Sequence, residues 1–350
     1  MIRKNVRDIE GSEILARDIM TWDYQIILPQ GATIRKEHIE KLDELGITEV
    51  YVKKAETQPG EIVILKEETE KSIRKAVKDI LERHTYQKND ELLELNDAAD
   101  SIISDIVEEE EVVEKVFDIR ERSADIYEHS ISICSLAILT ALKLGVEKGK
   151  IHDIGVGCLL HDIGLRYMTI DYKNQDVETL NKQELIEYKK HPVYGYSSLK
   201  DEPWISELSK MIILSHHERL DGSGYPLHTK EVPFECRIVS VCDTFDEMIC
   251  GIGCRRMKVY EAVEYVKQFK DVFFDSKVVD TFLGFTAVYP AGSRVLTSEG
   301  ETAEVLSQNK DFQDRPVIRI LKDKDNRPVK GNVIKDLVKV QNVFIEKVID

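Results

Sequence analysis

HHERLDGSGYP, His216 to Pro226, is the stretch from which the rest of the chain can be read. Two adjacent imidazoles, an acid, a base and a Gly-Ser-Gly-Tyr-Pro turn within eleven residues suit neither an apolar core nor a solvated face. Neutral histidine is the commonest metal ligand, and a pair at a helix end can turn both rings toward one ion before the chain unwinds into the Gly222/Gly224 loop. Alone, the string also fits a polar helix end followed by a turn. What decides between the two is whether other segments bring further ligands.

They do. Of nine histidines, five fall at His129, His161, His191, His216 and His217, on helical segments that are separate except for the adjacent pair. His38, His84, His152 and His228 lie among charged or loop residues and read as surface histidines. Ile151, Ile154, Cys158 and Asp162 recur at three- and four-residue steps, which aims Asp162 at the interior with an apolar stripe. Asp243 continues the Ile238 and Cys242 side of its helix in the same way. An inward carboxylate is costly unless paired or metal-bound. Asp125 and His129 are four apart and stack on one helix face. Imidazoles and carboxylates carried on separate helices can enclose two divalent ions, with Asp162, next to His161, as the natural bridge. Mixed nitrogen and oxygen ligands suit iron, manganese or zinc and do not decide among them.

Around this set the chain of 350 residues divides by pattern. Residues 1–58 alternate strand-like and helical segments and read as a small α/β input or docking module. Residues 59–105 are helical and acidic, with apolar residues at three and four, and form a linker or stalk packing on itself or on a partner chain; a homodimer through 61–122 is expected. Residues 106–285 are helical almost throughout. SADIYEHSISICSLAILTALKLG reads as one helix closed by Gly145, IHDIGVGCLLHDIG as the next, and Asn181 to Glu184 as a capping box leading toward His191. Residues 286–350 alternate apolar and polar between Gly, Asn and Pro turns, a small antiparallel β module. The fold class is therefore mainly α, a helical bundle with a small α/β module before it and a β module after it.

Composition narrows the rest. With 42% apolar and 33% charged residues and no run long enough to cross a bilayer, the chain reads as soluble. The start, MIRKNVRDIEGSEIL, lacks a secretory pattern, so a cytoplasmic location is expected. A net charge of −16 repels a long nucleic acid, while bound ions can still hold a small anion. The six cysteines sit mostly in apolar helical patterns and read as free buried thiols; Cys250 and Cys254 lack zinc-ribbon spacing.

YEHS (127–130), LLHDIG (159–164), HPVYG (191–195), HHERLDGSGYP (216–226), CRIVSVCDTFD (236–246) and FFDSKVVDTFL (273–283) resemble, in order and spacing, the HD-GYP family of bacterial cyclic di-GMP phosphodiesterases, HD-type metal-dependent phosphohydrolases. The resemblance implies an HD-type bundle in which His129, His161, Asp162 and Asp243 hold one metal and His191, His216 and His217 the other, with Asp162 bridging. Some members hold a third ion through a glutamate at the position of Asp125; with an aspartate here, a two-metal site with Asp125 as an optional ligand is expected. His161 and Asp162 would be catalytic. Gly224, Tyr225 and Pro226 would flank the substrate and serve as a contact surface for a protein partner. Arg237, Arg255, Tyr225 and Asp246 are the expected substrate contacts, Arg237 and Asp246 orienting ligands or phosphate.

Two departures matter. The family has HDIGK, whereas Leu165 follows Gly164 here, removing a lysine assigned to the phosphate. The family's Arg-Pro-Tyr-Arg/Lys run is replaced by Gly251 to Arg255, of which Arg255 can be carried over and Ile252 cannot. The implied activity is hydrolysis of cyclic di-GMP to linear pGpG and onward to GMP, by a bridging hydroxide that two metal ions activate, or of a related cyclic dinucleotide. The competing expectation is a receptor that binds the dinucleotide without cutting it and signals through the stalk.

Overall fold

The helix Ile126–Lys143, which carries the first expected ligand, is buried nearly all round, as a helix at the centre of a bundle must be. In the computed structural model it is reached in the following order. The structure describes residues 2–5, 19–20, 26–28, 32, 34, 38–39, 41–42, 49–52, 67–86, 94–108, 119, 124–309, 311–329 and 331–349. The chain divides into two units, Met1–Glu61 and Ile62–Asp350.

In the first unit, β1 (Ile2–Asn5) pairs antiparallel with β4 (Glu49–Val52), and β2 (Ile19–Met20) with β3 (Ile26–Leu28). Of the helical segments expected within residues 1–58, residues 38–39 and 41–42 are helical; the residues around them lie outside the described residues.

The second unit opens with α1 (Glu67–Tyr86) and α2 (Glu94–Glu108). Their apolar faces, Ile73, Val77, Ile80 and Leu81 on one and Leu95, Ala99, Ile102 and Ile106 on the other, are buried in the core they share with α3 (Ile126–Lys143) and α4 (Lys148–Leu160). The stalk expected to dimerise therefore covers its own bundle, and burial of these residues needs no partner chain.

From α3 onward the bundle follows the helical pattern of the sequence, with α5 (Lys182–Tyr188), α6 (His191–Leu199), α7 (Glu207–Ser215), α8 (Phe234–Cys250), α9 (Val259–Gln268) and α10 (Ser276–Phe285). Asn181 caps α5 by accepting from the N–H groups of Gln183 and Glu184, and Ser206 caps α7 through the Ser209 N–H. Phe245 of α8 meets Phe282 of α10 edge-on, ring centroids 5.0 Å apart, an aromatic pair beneath the site.

The sheet over 294–348 has the order β8-β7-β6-β5-β9: β5 (Arg294–Thr297), β6 (Thr302–Asn309), β7 (Phe312–Lys322), β8 (Ile334–Asp336) and β9 (Ile345–Val348), every pairing antiparallel. It has its own core of Val295, Ala303, Val305, Ile318, Ile320, Leu337, Val343 and Ile345, the inward half of the alternation. Among the described residues no helix is long and apolar enough to cross a membrane.

Candidate metal centre

The five histidines converge, mostly because helices end where the site begins. His161 and His216 are the residues that close α4 and α7, His191 opens α6, and His129 and Asp243 face inward from α3 and α8. Asp162 lies two residues beyond Leu160, the last residue of α4, so its inward aim comes from the turn into a short 3₁₀ helix, Ile163–Tyr167, and not from the helical stripe that the spacing suggested. Gly164 permits this turn. A Cβ there would overlap the His191 carbonyl oxygen and lie 2.9 Å from the Gly195 nitrogen, so the HD turn and α6 touch backbone to backbone.

All seven ligand candidates are at most 5% exposed: His129, His161, His191 and His216 at 0%, Asp243 at 0%, His217 at 4% and Asp162 at 5%. They form two groups, Asp162 with His191, His216 and His217, and His129 with His161 and Asp243. Asp162 spans them: Oδ1 is 3.3 Å from His191 Nε2, while Oδ2 is 3.3 Å from His161 Nε2 and 3.7 Å from His129 Nε2. Asp243 Oδ1 lies 3.4 Å from His129 Nε2 and 3.5 Å from His161 Nε2, and its Oδ2 is 3.5 Å from His217 Nδ1.

The outer nitrogens fix the inner ones. Backbone carbonyls only accept, so Nδ1–H of His161 donates to Cys158 (2.7 Å), that of His191 to Tyr188 (2.9 Å) and that of His216 to Ile213 (3.0 Å). His129 Nδ1–H donates to the buried Asp246 carboxylate at 2.8 Å. A neutral ring held this way presents a bare lone pair at Nε2, the arrangement metal-binding histidines adopt. Yet His191 Nε2 stands 3.2 Å from the equally bare His216 Nε2, with His217 Nε2, whose ring no carbonyl fixes, 3.1 Å away. Lone pairs facing at that distance repel unless a cation lies between them. A proton does not fill the role: burial, reinforced by the neighbouring His161, pushes the His216 imidazole down to about 3, and burial also lowers His191 and His217.

His129 Nε2, His161 Nε2 and both Asp243 oxygens are buried without a hydrogen-bond partner. Four such atoms converging on one spot are rare in a native interior and are the signature of an ion site. The spacing fits as well: donors about 2.1 Å from one ion stand about 3.0–3.4 Å apart at octahedral or tetrahedral angles, close to the separations here. The residues present therefore suit a pair of divalent ions. Burial lowers the His129 pKa, but the Asp243 and Asp246 carboxylates outweigh it and leave it well above the usual value; for Asp162 burial raises the pKa, while His161 and its fellow histidines draw it down.

Other expected residues fall elsewhere. Asp125 does not join either group. Its Oδ1 caps α3 by accepting from Tyr127 and Glu128 N–H, and Oδ2 pairs with Arg74 of α1 at 2.8 Å. Asp246, expected to orient ligands or phosphate, is fully buried behind His129 and also accepts from Ser132 Oγ at 2.7 Å, which fits the first of these roles. Arg237 donates to the Val232 carbonyl and to Asp275, the cap of α10, and Arg255 is exposed in the turn after α8. Tyr225 stacks on His217, centroids 4.6 Å apart. Gly224 lets that turn press on the chain, because a Cβ would sit 2.5 Å from the Arg219 nitrogen.

Three residues that the sequence reading passed over shape the site. Glu218, 1% exposed, accepts from the N–H groups of Leu227, His228 and Thr229 and so holds the loop after Pro226 in place. Glu247 lies one helical turn beyond Asp243 and 3.9 Å from His217 Nε2, and that i+4 spacing could have revealed it. Burial and the Asp243 charge hold its carboxyl well above the usual range. Arg166 follows the HD turn and donates to the Tyr127 hydroxyl, two residues before His129; nothing in the sequence pattern marked it.

Residues 109–278 match the model of the HD domain, and residues 294–350 that of the KOW domain associated with HD domains. The chain is similar to a cyclic di-GMP phosphodiesterase of Pseudomonas aeruginosa (30% identity over 52% of this chain and 44% of that protein). It is similar also to a cyclic di-GMP phosphodiesterase response regulator of Xanthomonas campestris (32%, covering 42% and 40%) and to a cyclic di-GMP phosphodiesterase of Thermotoga maritima (30%, covering 46% and 45%). It thus spans less than half the length of these relatives. Among solved structures, an HDG"Y"P protein from Bdellovibrio bacteriovorus shares the fold, with a TM-score of 0.54 at 19% identity over 80% of this chain and 97% of that one.

Proposed function

We propose that the chain, whose residues 109–278 match the HD domain, is a metal-dependent phosphodiesterase of the HD-GYP type that opens cyclic di-GMP to linear pGpG. The observation that carries the reading is the set of facing, unpartnered Nε2 and carboxylate atoms divided between the two oxygens of Asp162. His129, His161 and Asp243 would hold one ion, His191, His216 and His217 the other, with Asp162 shared; iron, manganese and zinc all suit such donors. When bound, the ion pair lowers the pKa of a water and neutralises phosphodiester oxygens.

The chain's own residues do the rest. Carbonyls of Cys158, Tyr188 and Ile213 and the carboxylate of Asp246 lock the imidazoles in one tautomer and orientation. Burial of all seven ligands keeps the charges unscreened, which strengthens them at the scissile phosphate. Tyr225, braced against His217, offers a ring face to a nucleobase at the mouth.

A second reading, a receptor that binds without cutting, is favoured by buried Leu165 at the lysine position of HDIGK. Product analysis decides. Protein purified without oxygen and loaded with manganese or iron is incubated with cyclic di-GMP and with a hybrid cyclic dinucleotide. Linear product at catalytic turnover, lost in Asp162→Ala together with the metal, is expected. Tight binding of intact ligand selects the receptor, and turnover in metal-stripped protein refutes both.

A further inference from the structure

We propose that Glu247 is a further metal ligand of this centre, an anionic donor to the ion held by His191, His216 and His217; the assignment rests on the metal-pair reading above. Glu247 stands one helical turn beyond Asp243 on α8, so both carboxylates leave the same face of that helix. His217, Asp243 and Glu247 each offer one ligand atom, and the three atoms lie within 4.8 Å of one another.

Two observations mark this trio as a place for a cation. Asp243 Oδ2 is buried without a hydrogen-bond partner, 3.5 Å from His217 Nδ1. Glu247 Oε1 is 3.9 Å from His217 Nε2, the nitrogen that stands 3.1 Å from His191 Nε2. Two donors each about 2.1 Å from one ion can be at most about 4.2 Å apart, so Oε1 is within reach of an ion bound to that nitrogen. The protein itself does not engage the carboxylate. Its side chain is 15% exposed, and among the described residues it makes no hydrogen bond and pairs with no lysine or arginine; Arg219 is turned to Ser240 and Thr244 instead.

Charge makes the same case. A pair of divalent ions would add four positive charges to a site whose ligands are buried, and of those ligands only Asp162 and Asp243 are anionic. The group of three imidazoles has a share of Asp162 and no other anion, and a buried charge needs a compensating one close by. Glu247 supplies it from the side of His217.

The test titrates manganese into chelator-stripped wild type, Glu247→Gln, Glu247→Asp and Glu247→His by calorimetry, with thermal melting of the stripped proteins as the check on folding. Removing a group that merely supports a ligand costs about 10- to 100-fold in metal affinity, so loss of a ligand predicts binding of one ion at least about tenfold weaker in Glu247→Gln. Glu247→Asp keeps the charge but is one methylene short, and should lose as much. Glu247→His offers an Nε2 as many bonds from Cα as Oε1, and should return to within about threefold of wild type. The stripped proteins should melt alike. Affinity within about threefold of wild type in Glu247→Gln or in Glu247→Asp overturns the assignment, the second because charge without reach would then suffice. Glu247→His as weak as Glu247→Gln, or a stripped Glu247→Gln that melts well below stripped wild type, overturns it too. A wild type that binds no manganese overturns the metal-pair reading and the assignment with it. Turnover of cyclic di-GMP by wild type, read separately by product chromatography, bears on the hydrolytic reading alone.

Discussion

Asp246→Asn probes the site through a residue that no ligand would touch. Asp246 and His129 are both fully buried and joined by a 2.8 Å bond from imidazole Nδ1–H to carboxylate Oδ2, with Ser132 on the other oxygen at 2.7 Å. A bond to a charged group contributes about 1.5–3 kcal/mol and a neutral one about 0.5–1.5. Asparagine keeps the shape and an acceptor oxygen while removing the charge, so the His129 side loses about 1–1.5 kcal/mol, close to tenfold in metal affinity. Asp246→Ala leaves the His129, Ser132 and Cys250 donors without this acceptor and should approach the hundredfold loss typical of removing a partner behind a metal-binding histidine. Competition for manganese with a chromophoric chelator measures both variants, with thermal melting as the check on folding. Affinities within twofold of wild type in both folded variants refute the idea that Asp246 sets the His129 tautomer.

Three other outcomes follow from the geometry. Gly164→Ala puts a methyl group 2.8 Å from the His191 carbonyl carbon, so α6 must retreat; calorimetry should show about 1–3 kcal/mol of destabilisation and elemental analysis a loss of metal, whereas unchanged values for both would contradict the backbone contact. Glu218→Gln leaves one oxygen where two carboxylate oxygens accept three backbone N–H groups, so amide exchange at residues 227–229 should quicken roughly tenfold; unchanged protection there would argue against the clamp. Chelation should lower the melting temperature, since a ligand at a hundredfold excess over its Kd stabilises the folded chain by about 2.7 kcal/mol. The difference should vanish in Asp162→Ala, and a chelator-insensitive wild type would contradict the ion site.

What the sequence by itself determined was the chemistry of the ligands and the character of each segment. HD at 161–162 and HH at 216–217 were legible as ligand types placed side by side, and the inward Asp243 because a period of 3.6 reveals which face of a helix is buried. Periods of 3.6 and 2 revealed the bundle and the alternating strands of the last module. They say nothing of partners distant in the chain. Asp246 meets His129 across 117 residues, and only the packing of α8 on α3 favours orienting a ligand over orienting phosphate, the two roles that the sequence left open. Asp125 shares a helical spacing with His129, yet the start of α3 at Ile126 makes it a cap, and Arg74 from α1 holds it there. Asp162 reached the interior by leaving its helix, a turn that the contact of Gly164 with α6 requires. The division of its two oxygens between two groups of histidines, and the placing of Arg166 against Tyr127, depend on angles between helices, which local sequence does not encode and tertiary packing decides.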